Sequence, residues 1–306
     1  YEDRKSAFTS DALRSFIFIA IAFVSLFLFA KDKLKKEIIV IVIIGIASVI
    51  DLWQVDKRYI SNENYKKTYE LEIQSTPALE TIKADVEAKN INHYRVYNMA
   101  VNTFNDASTS FYVPSIGGYH GAKLQRYQDI ISFHLTNPNY VQKDLNDTSL
   151  LKTNQIRQFF YTYQQQIKCP NLQVLNMLDT KYFILPVGQE GGTAIENPEA
   201  CGAAWFVKNI KIVNTADEEI LALNDFDPQH TAILNKDFAS QLQNKNLANN
   251  DQQATITLQE SPNKNPDLKI YKTKSTTAQL CVFSEIYYKD GWKAYIDGKE
   301  MPILRA

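Results

Sequence analysis

Cysteine is scarce: Cys169, Cys201 and Cys281 lie far apart, with no C-x-x-C and no histidine at ligand spacing. An odd count leaves a thiol unpaired, so the set supports neither a disulfide framework nor a zinc site. Histidine is nearly as sparse, and His93, His120, His134 and His230 show no compact metal spacing, which fits surface or core roles. Net charge is almost absent at −1, which removes the concentrated basic surface that nucleic acid requires. The common catalytic motifs are missing too: no G-x-S-x-G, no H-E-x-x-H and no glycine-rich loop closing on Lys-Ser/Thr. Gly188-Gln189-Glu190-Gly191-Gly192 lacks that lysine and reads as a flexible loop. A soluble hydrolase is left without a supporting motif, and no cofactor or metal is implied.

What the sequence has in excess is apolar residues, crowded into two early runs. Ser15 to Ala30 carries no charge, and Ile38 to Ile50 repeats the pattern, extended by Leu52 and Trp53 with Asp51 between them. Each run falls slightly short of the ~20 residues that span a ~30 Å hydrocarbon core. Flanking Arg14, Lys31 and Lys36 can snorkel, and Trp53 stands where an interfacial aromatic belongs. A pair of buried helices would keep a polar stripe, and a signal peptide would be a single apolar run rather than two. Residues 1–54 therefore read as two transmembrane helices, over about 13–30 and 37–53. The connector 31–36 holds four lysines, which the positive-inside rule places in the cytoplasm. Everything after the second helix is then extracytoplasmic. Lys57, Arg58, Lys66 and Lys67 pull the other way, but long translocated domains obey the rule poorly. Asp51 reads as a boundary carboxylate within reach of water. The expected setting is a bacterial inner membrane, with the lipid bilayer as first partner. The chain opens at Tyr1 and stops at Ala306 within what reads as a strand, so it is expected to be a piece of a longer, multi-pass protein.

Residues 55–200 read as an α/β part. Thr76-Pro77 is a helix start, with a capping hydroxyl before proline, and the helix runs to about Lys89. His93 to Met99 reads as a strand, Gly121 to Leu135 as a helix with Leu124, Tyr127, Ile131 and Leu135 on its apolar face, and Ile156 to Ile167 as another helix. Leu172 to Leu178 is a short apolar stretch and Lys181 to Val187 a buried strand. Residues 201–306 read as β-rich: a strand over Trp205 to Val213, a short helix over Asp217 to Leu223 with an acidic first turn, then regular short strands separated by polar turns. Asp297-Gly298 is the strongest hairpin signal, and Asn244 to Gln253 a polar loop. The fold class expected is a membrane α-helical hairpin followed by an α+β extracytoplasmic domain with a C-terminal β-sandwich-like part.

One segment stands out as a binding site. Lys123 and Arg126, in the opening turns of the predicted helix from Gly121, oppose its dipole. An anion held by free backbone N–H groups would ease that conflict, with Tyr119, His120, Lys123 and Arg126 around it. Side chains that simply reach solvent would ease it as well, at small cost.

Several stretches carry a family resemblance. They are Asn105-Asp106-Ala107-Ser108, Ser115 through Leu124 with Tyr127-Gln128-Asp129, Leu175 through Ile184, Trp205-Phe206-Val207, and Ser284-Glu285-Ile286-Tyr287-Tyr288 with Gly291 through Gly298. In this order they resemble the extracytoplasmic domain of the YfhO family of bacterial membrane proteins. Ala203-Ala204 departs from the asparagine expected before Trp205. The family is similar to multi-helix glycosyltransferases that take sugar from a polyprenyl-phosphate carrier outside the membrane. The resemblance implies a role in glycosylating cell-envelope polymers or lipids, with a polyprenyl-phosphate-linked sugar and an envelope glycan acceptor as partners. It puts the catalytic carboxylates in an early outer loop that these residues do not include, so no catalytic residue is assigned. A membrane-anchored module that binds glycan or protein without chemistry is the alternative.

Overall fold

A computed structural model of the chain describes residues 2–60, 62–65, 74–142, 145, 147, 149, 151, 154–188, 190–242, 251, 253–262 and 265–306. Lys66, Lys67, Gln189 and most of the expected loop from Asn244 lie outside the described residues. The chain divides into two compact units, 1–72 and 73–306.

The first unit is a helical hairpin of α1 (Glu2–Ala30) and α2 (Glu37–Tyr59). Both helices are long and apolar enough to cross a membrane. Their apolar side chains point outward nearly all round, with Phe16 at 68 % exposure, and Val40 is the one apolar residue of α2 that is buried. Core helices of a soluble domain bury such residues instead. Among the described side chains, the charge pairs gather at one end of the hairpin. Arg14 of α1 stands 2.9 Å from Asp51 of α2, and Asp11 receives Arg14 at 3.3 Å and Arg58 at 2.5 Å.

The second unit is α+β. The oxygen of Thr76 accepts from the Leu79 N–H and caps α3 (Pro77–Ala88), as its sequence predicts. β1 (Arg95–Asn98) follows, then α4 (Gln125–Ile130) running into a π turn at Ile131–Leu135, α5 (Gln155–Thr162) and α6 (Leu172–Met177). β2 (Thr180–Leu185) pairs parallel with β1 and antiparallel with β3 (Thr193–Glu196). Both faces of β2 are covered. Tyr182 and Ile184 pack with Ala78, Leu79 and Ile82 of α3, while Phe183 and Leu185 pack with Phe160, Leu172 and Leu175. Burial on both faces explains why β2 reads as a continuous apolar run rather than an alternating one.

Several of the expected local structures differ, and the helix expected over Ile156 to Ile167 ends at Thr162. α4 begins at Gln125 rather than Gly121: residues 121–122 form a turn in which His120 Nδ1 accepts the Ala122 N–H at 3.1 Å, and Leu124 precedes the helix without a side-chain cap. Leu172 to Leu178, read as an unassigned apolar stretch, is helical because Asn171 caps it, accepting from the N–H groups of Gln173 and Val174.

Among the described residues the C-terminal strands pair two by two in small sheets, without the closed sandwich that the sequence suggests. The single strand expected over Trp205 to Val213 is two: β4 (Ala204–Val207) and β5 (Asn209–Val213). β5 is joined through α7 (Ala216–Ala222) to β6 (Thr231–Asn235), and the two strands are parallel. That is a βαβ unit, closed over Val213, Ala222 and Ile233, and a helical crossover is what parallel strands need. A one-turn helix, α8 (Lys236–Ala239), follows. β7 (Thr255–Gln259) pairs antiparallel with β8 (Ile270–Lys274), and β9 (Leu280–Phe283) pairs antiparallel with β4. β10 (Ala294–Ile296) and β11 (Lys299–Met301) form the predicted hairpin. Its Asp297 and Gly298 both have positive φ, at 49° and 80°, as a two-residue turn of the primed type requires.

Candidate functional site

The residues expected to hold an anion lie along one segment, with separate engagements. Tyr119 is 73 % exposed, and His120 is committed to the Ala122 amide. Lys123 Nζ stands 5.7 Å from the centre of the Phe104 ring. Arg126 Nη1 donates to Glu219 Oε1 at 2.7 Å, and the other Glu219 oxygen faces Arg305 at 3.8 Å. The guanidinium that was to meet a ligand therefore already has a carboxylate.

A denser charged cluster gathers around His93, which sequence spacing alone does not flag. His93 Nδ1 lies 2.6 Å from Asp179 Oδ2, and Nε2 lies 3.4 Å from Glu285 Oε1. Arg95 reaches the same place from the start of β1. Its Nη1 donates to the carbonyls of Leu178 and Ser284, both at 2.8 Å, and its Nη2 to Glu285 at 3.2 Å. Lys269 approaches Glu285 at 3.7 Å. Asp179 takes a positive φ of 53° and accepts the Gly202 N–H through its other oxygen.

Burial disfavours the charged His93 ring, but its hydrogen bonds to Asp179 and Glu285 outweigh that and the net shift is upward. The contact with His93, joined by Arg95 and Lys269, holds Glu285 below the usual carboxylate range against the opposing effect of burial. With both ring nitrogens facing carboxylates, protonated His93 has no free lone pair for general-base work. The cluster is an ion network that ties the segment after β9 to the starts of β1 and β2.

Other reactive groups are buried or engaged. Burial pushes the Cys201 and Cys281 thiols up to about 12 and Cys169 higher still, so none is poised as a thiolate. Buried His134 is held low by desolvation; as the neutral tautomer it donates from Nε2 to the Ile220 carbonyl and accepts at Nδ1 from Asn171. Arg157, 2 % exposed, donates to both oxygens of Glu199, which Asn154 and Asn176 also reach. Among the described residues, no group of three or more His, Cys, Asp or Glu is disposed to hold a metal ion.

Among the described residues of the second unit, a shallow cleft of about 180 Å³ lies at the chain's closing segment. Tyr287, Tyr288, Lys289, Trp292, Lys293 and Glu300 line it. A tight turn shapes its rim: the amides of Gly291 and Trp292 both donate to the Tyr288 carbonyl, at 3.1 and 3.4 Å. A Cβ on Gly291 would lie 2.6 Å from the Tyr288 ring, so only glycine allows that ring to lie against the turn. Trp292 Nε1 donates to the Ile286 carbonyl at 3.1 Å, which fixes the indole.

Compared with known proteins, the chain matches no protein-family model, no curated protein and no solved structure.

Proposed function

We propose that the chain is the late-membrane and extracytoplasmic portion of a glycosyltransferase-like membrane protein that modifies cell-envelope glycans or lipids from a lipid-linked sugar. The observation that carries the reading is the hairpin: two long helices whose apolar side chains face outward, joined by a basic loop and leading into a polar α+β unit. The resemblance to the YfhO family supplies the chemistry. In this reading the protein is a multi-pass resident of the bacterial inner membrane, loop 31–36 is cytoplasmic and the second unit faces outward. The reacting carboxylates lie elsewhere in the parent protein, and this domain supports the membrane core or meets acceptor and carrier.

The second reading is a membrane-anchored module that binds envelope glycan without chemistry. The aromatic cleft favours it, as do the engagement of His93 and His134 and the burial of the three thiols.

The deciding experiment measures transfer of labelled sugar from polyprenyl-phosphate donors into envelope polymers, in membranes with and without the full-length protein. Transfer that disappears with the protein supports the first reading. Transfer that is unchanged sinks it and leaves the binding module.

A further inference from the structure

We infer that the cleft at the closing segment binds an acidic sugar chain, with Trp292 and Tyr288 against the sugar ring and Lys289 and Lys293 paired with its carboxylate or phosphate. This names the glycan-contacting surface within the reading above, and rests on that reading's placing the domain among envelope polymers.

Two features of the aromatic pair suit a sugar. The Trp292 N–H is already spent on the Ile286 carbonyl, so the indole offers its hydrocarbon surface rather than a donor. Tyr288 remains 53 % exposed even though the Gly291 turn holds it in place. Rigid, half-exposed aromatic surface meets the C–H face of a sugar ring at little entropic cost.

The lysines decide the charge of the ligand. Among the described residues, neither Lys289 nor Lys293 lies within ion-pair reach of a carboxylate, although Glu300 lines the same cleft. Arg95, Arg126 and Arg157 all have such partners elsewhere in this unit. Two unpaired ammonium groups against one carboxylate leave the cleft net positive. Glu300 can accept from sugar hydroxyls, while the lysines meet the acid groups. The volume also argues for a chain. At about 180 Å³ the cleft is below the range of roughly 300–1,000 Å³ for enclosed small-molecule sites. It fits one ring of a polymer lying across it.

The test is titration of the full chain, held in lipid nanodiscs, with an oligogalacturonate hexamer and with a neutral maltohexaose as the matched probe. The acidic hexamer is expected to bind and to weaken as salt rises. Lys289→Glu with Lys293→Glu, and separately Tyr288→Ala, are each expected to weaken it by roughly tenfold or more. Lys272→Glu, on β8 outside the cleft, is expected to leave binding unchanged. No binding of the acidic hexamer overturns the inference, as does equal binding of the neutral one. Undiminished binding in the cleft variants overturns the assignment to this place, provided their circular dichroism matches the parent chain. The sugar-transfer measurement reads separately. Cleft binding without protein-dependent transfer sinks only the transferase reading, and protein-dependent transfer without cleft binding sinks only this one.

Discussion

Arg14 Nε stands 2.9 Å from Asp51 Oδ1, so the charged residue at the end of the second apolar run is held by the helix before it. The contact is an ion pair without hydrogen-bond alignment, and both side chains are partly shielded, at 18 % and 32 % exposure. Asp51 read in the sequence as a boundary carboxylate dissolved by water; the hairpin gives it a specific partner, with Asp11 and Arg58 extending the set. Cutting the pair from one side leaves the other charge near an apolar environment. Arg14→Gln and Asp51→Asn are each expected to loosen the hairpin by on the order of 1 kcal/mol, and the double variant by less than their sum. Detergent-titrated unfolding, followed by fluorophores on the two helices, measures it. Simple additivity would show that the pair contributes no coupling.

The His93 network predicts a pH optimum with two different flanks. His93 is raised above its ordinary 6.5, so its contribution is complete below that value and is lost as pH rises through the higher folded value. Glu285 is lowered from its ordinary 4.5, so its contribution is present above that value and is lost as pH falls through the lower folded one. Thermal unfolding of the chain is therefore expected to weaken on the alkaline side above pH 6.5, and His93→Gln should flatten that flank while lowering stability in the acid range. An alkaline flank unchanged in His93→Gln would remove the network from the explanation.

Much of the second unit is legible in the sequence, because the signals are local. Thr76-Pro77 caps a helix, Asp297-Gly298 turns a hairpin, and Lys181 to Val187 is a buried strand within a residue or two of β2. What escaped depended on partners distant in sequence. The break between β4 and β5 at Lys208 arises because the halves pair with different strands, and short alternating runs look the same in a sandwich and in a βαβ unit. The start of α4 was misplaced because periodicity marks a face rather than a cap. The His93 cluster unites positions 93, 95, 179 and 285, a spacing that no motif encodes. The aromatic cleft lies within a stretch that carries the family resemblance, but which of its rings stay open is a property of the turn at Gly291.

Phe183 is the natural probe of the central core. It is fully buried on β2, stacks edge-on with Tyr97 at 5.8 Å, and belongs to the cluster that joins the sheet to α5 and α6. Phe183→Ala removes the ring and leaves a cavity between layers that cannot easily collapse, at a cost of about 3–5 kcal/mol. Urea unfolding of the chain is expected to show that loss as a lower midpoint with an unchanged slope. Phe111, 69 % exposed, serves as control, and Phe111→Ala should stay within about 0.5 kcal/mol of the parent. A Phe183 variant as stable as the Phe111 variant would mean that the sheet is not the centre of the unit.

The orientation proposed above rests on where the lysines stand. The connector after α1 packs Lys31, Lys33, Lys35 and Lys36 into six residues, all exposed apart from the half-buried Leu34 between them. Short basic loops stay on the cytoplasmic side because moving them across the membrane against its potential is costly, whereas long domains translocate regardless of their charge. In a chain with Cys169, Cys201 and Cys281 changed to serine, a cysteine at Lys33 should be shielded from a membrane-impermeant maleimide in intact spheroplasts. A cysteine at Lys293, exposed in the second unit, should react under the same conditions. Permeabilisation should then bring Lys33→Cys to the same labelling. The opposite pattern would put the second unit in the cytoplasm, away from any envelope glycan, and both functional readings would fall with it.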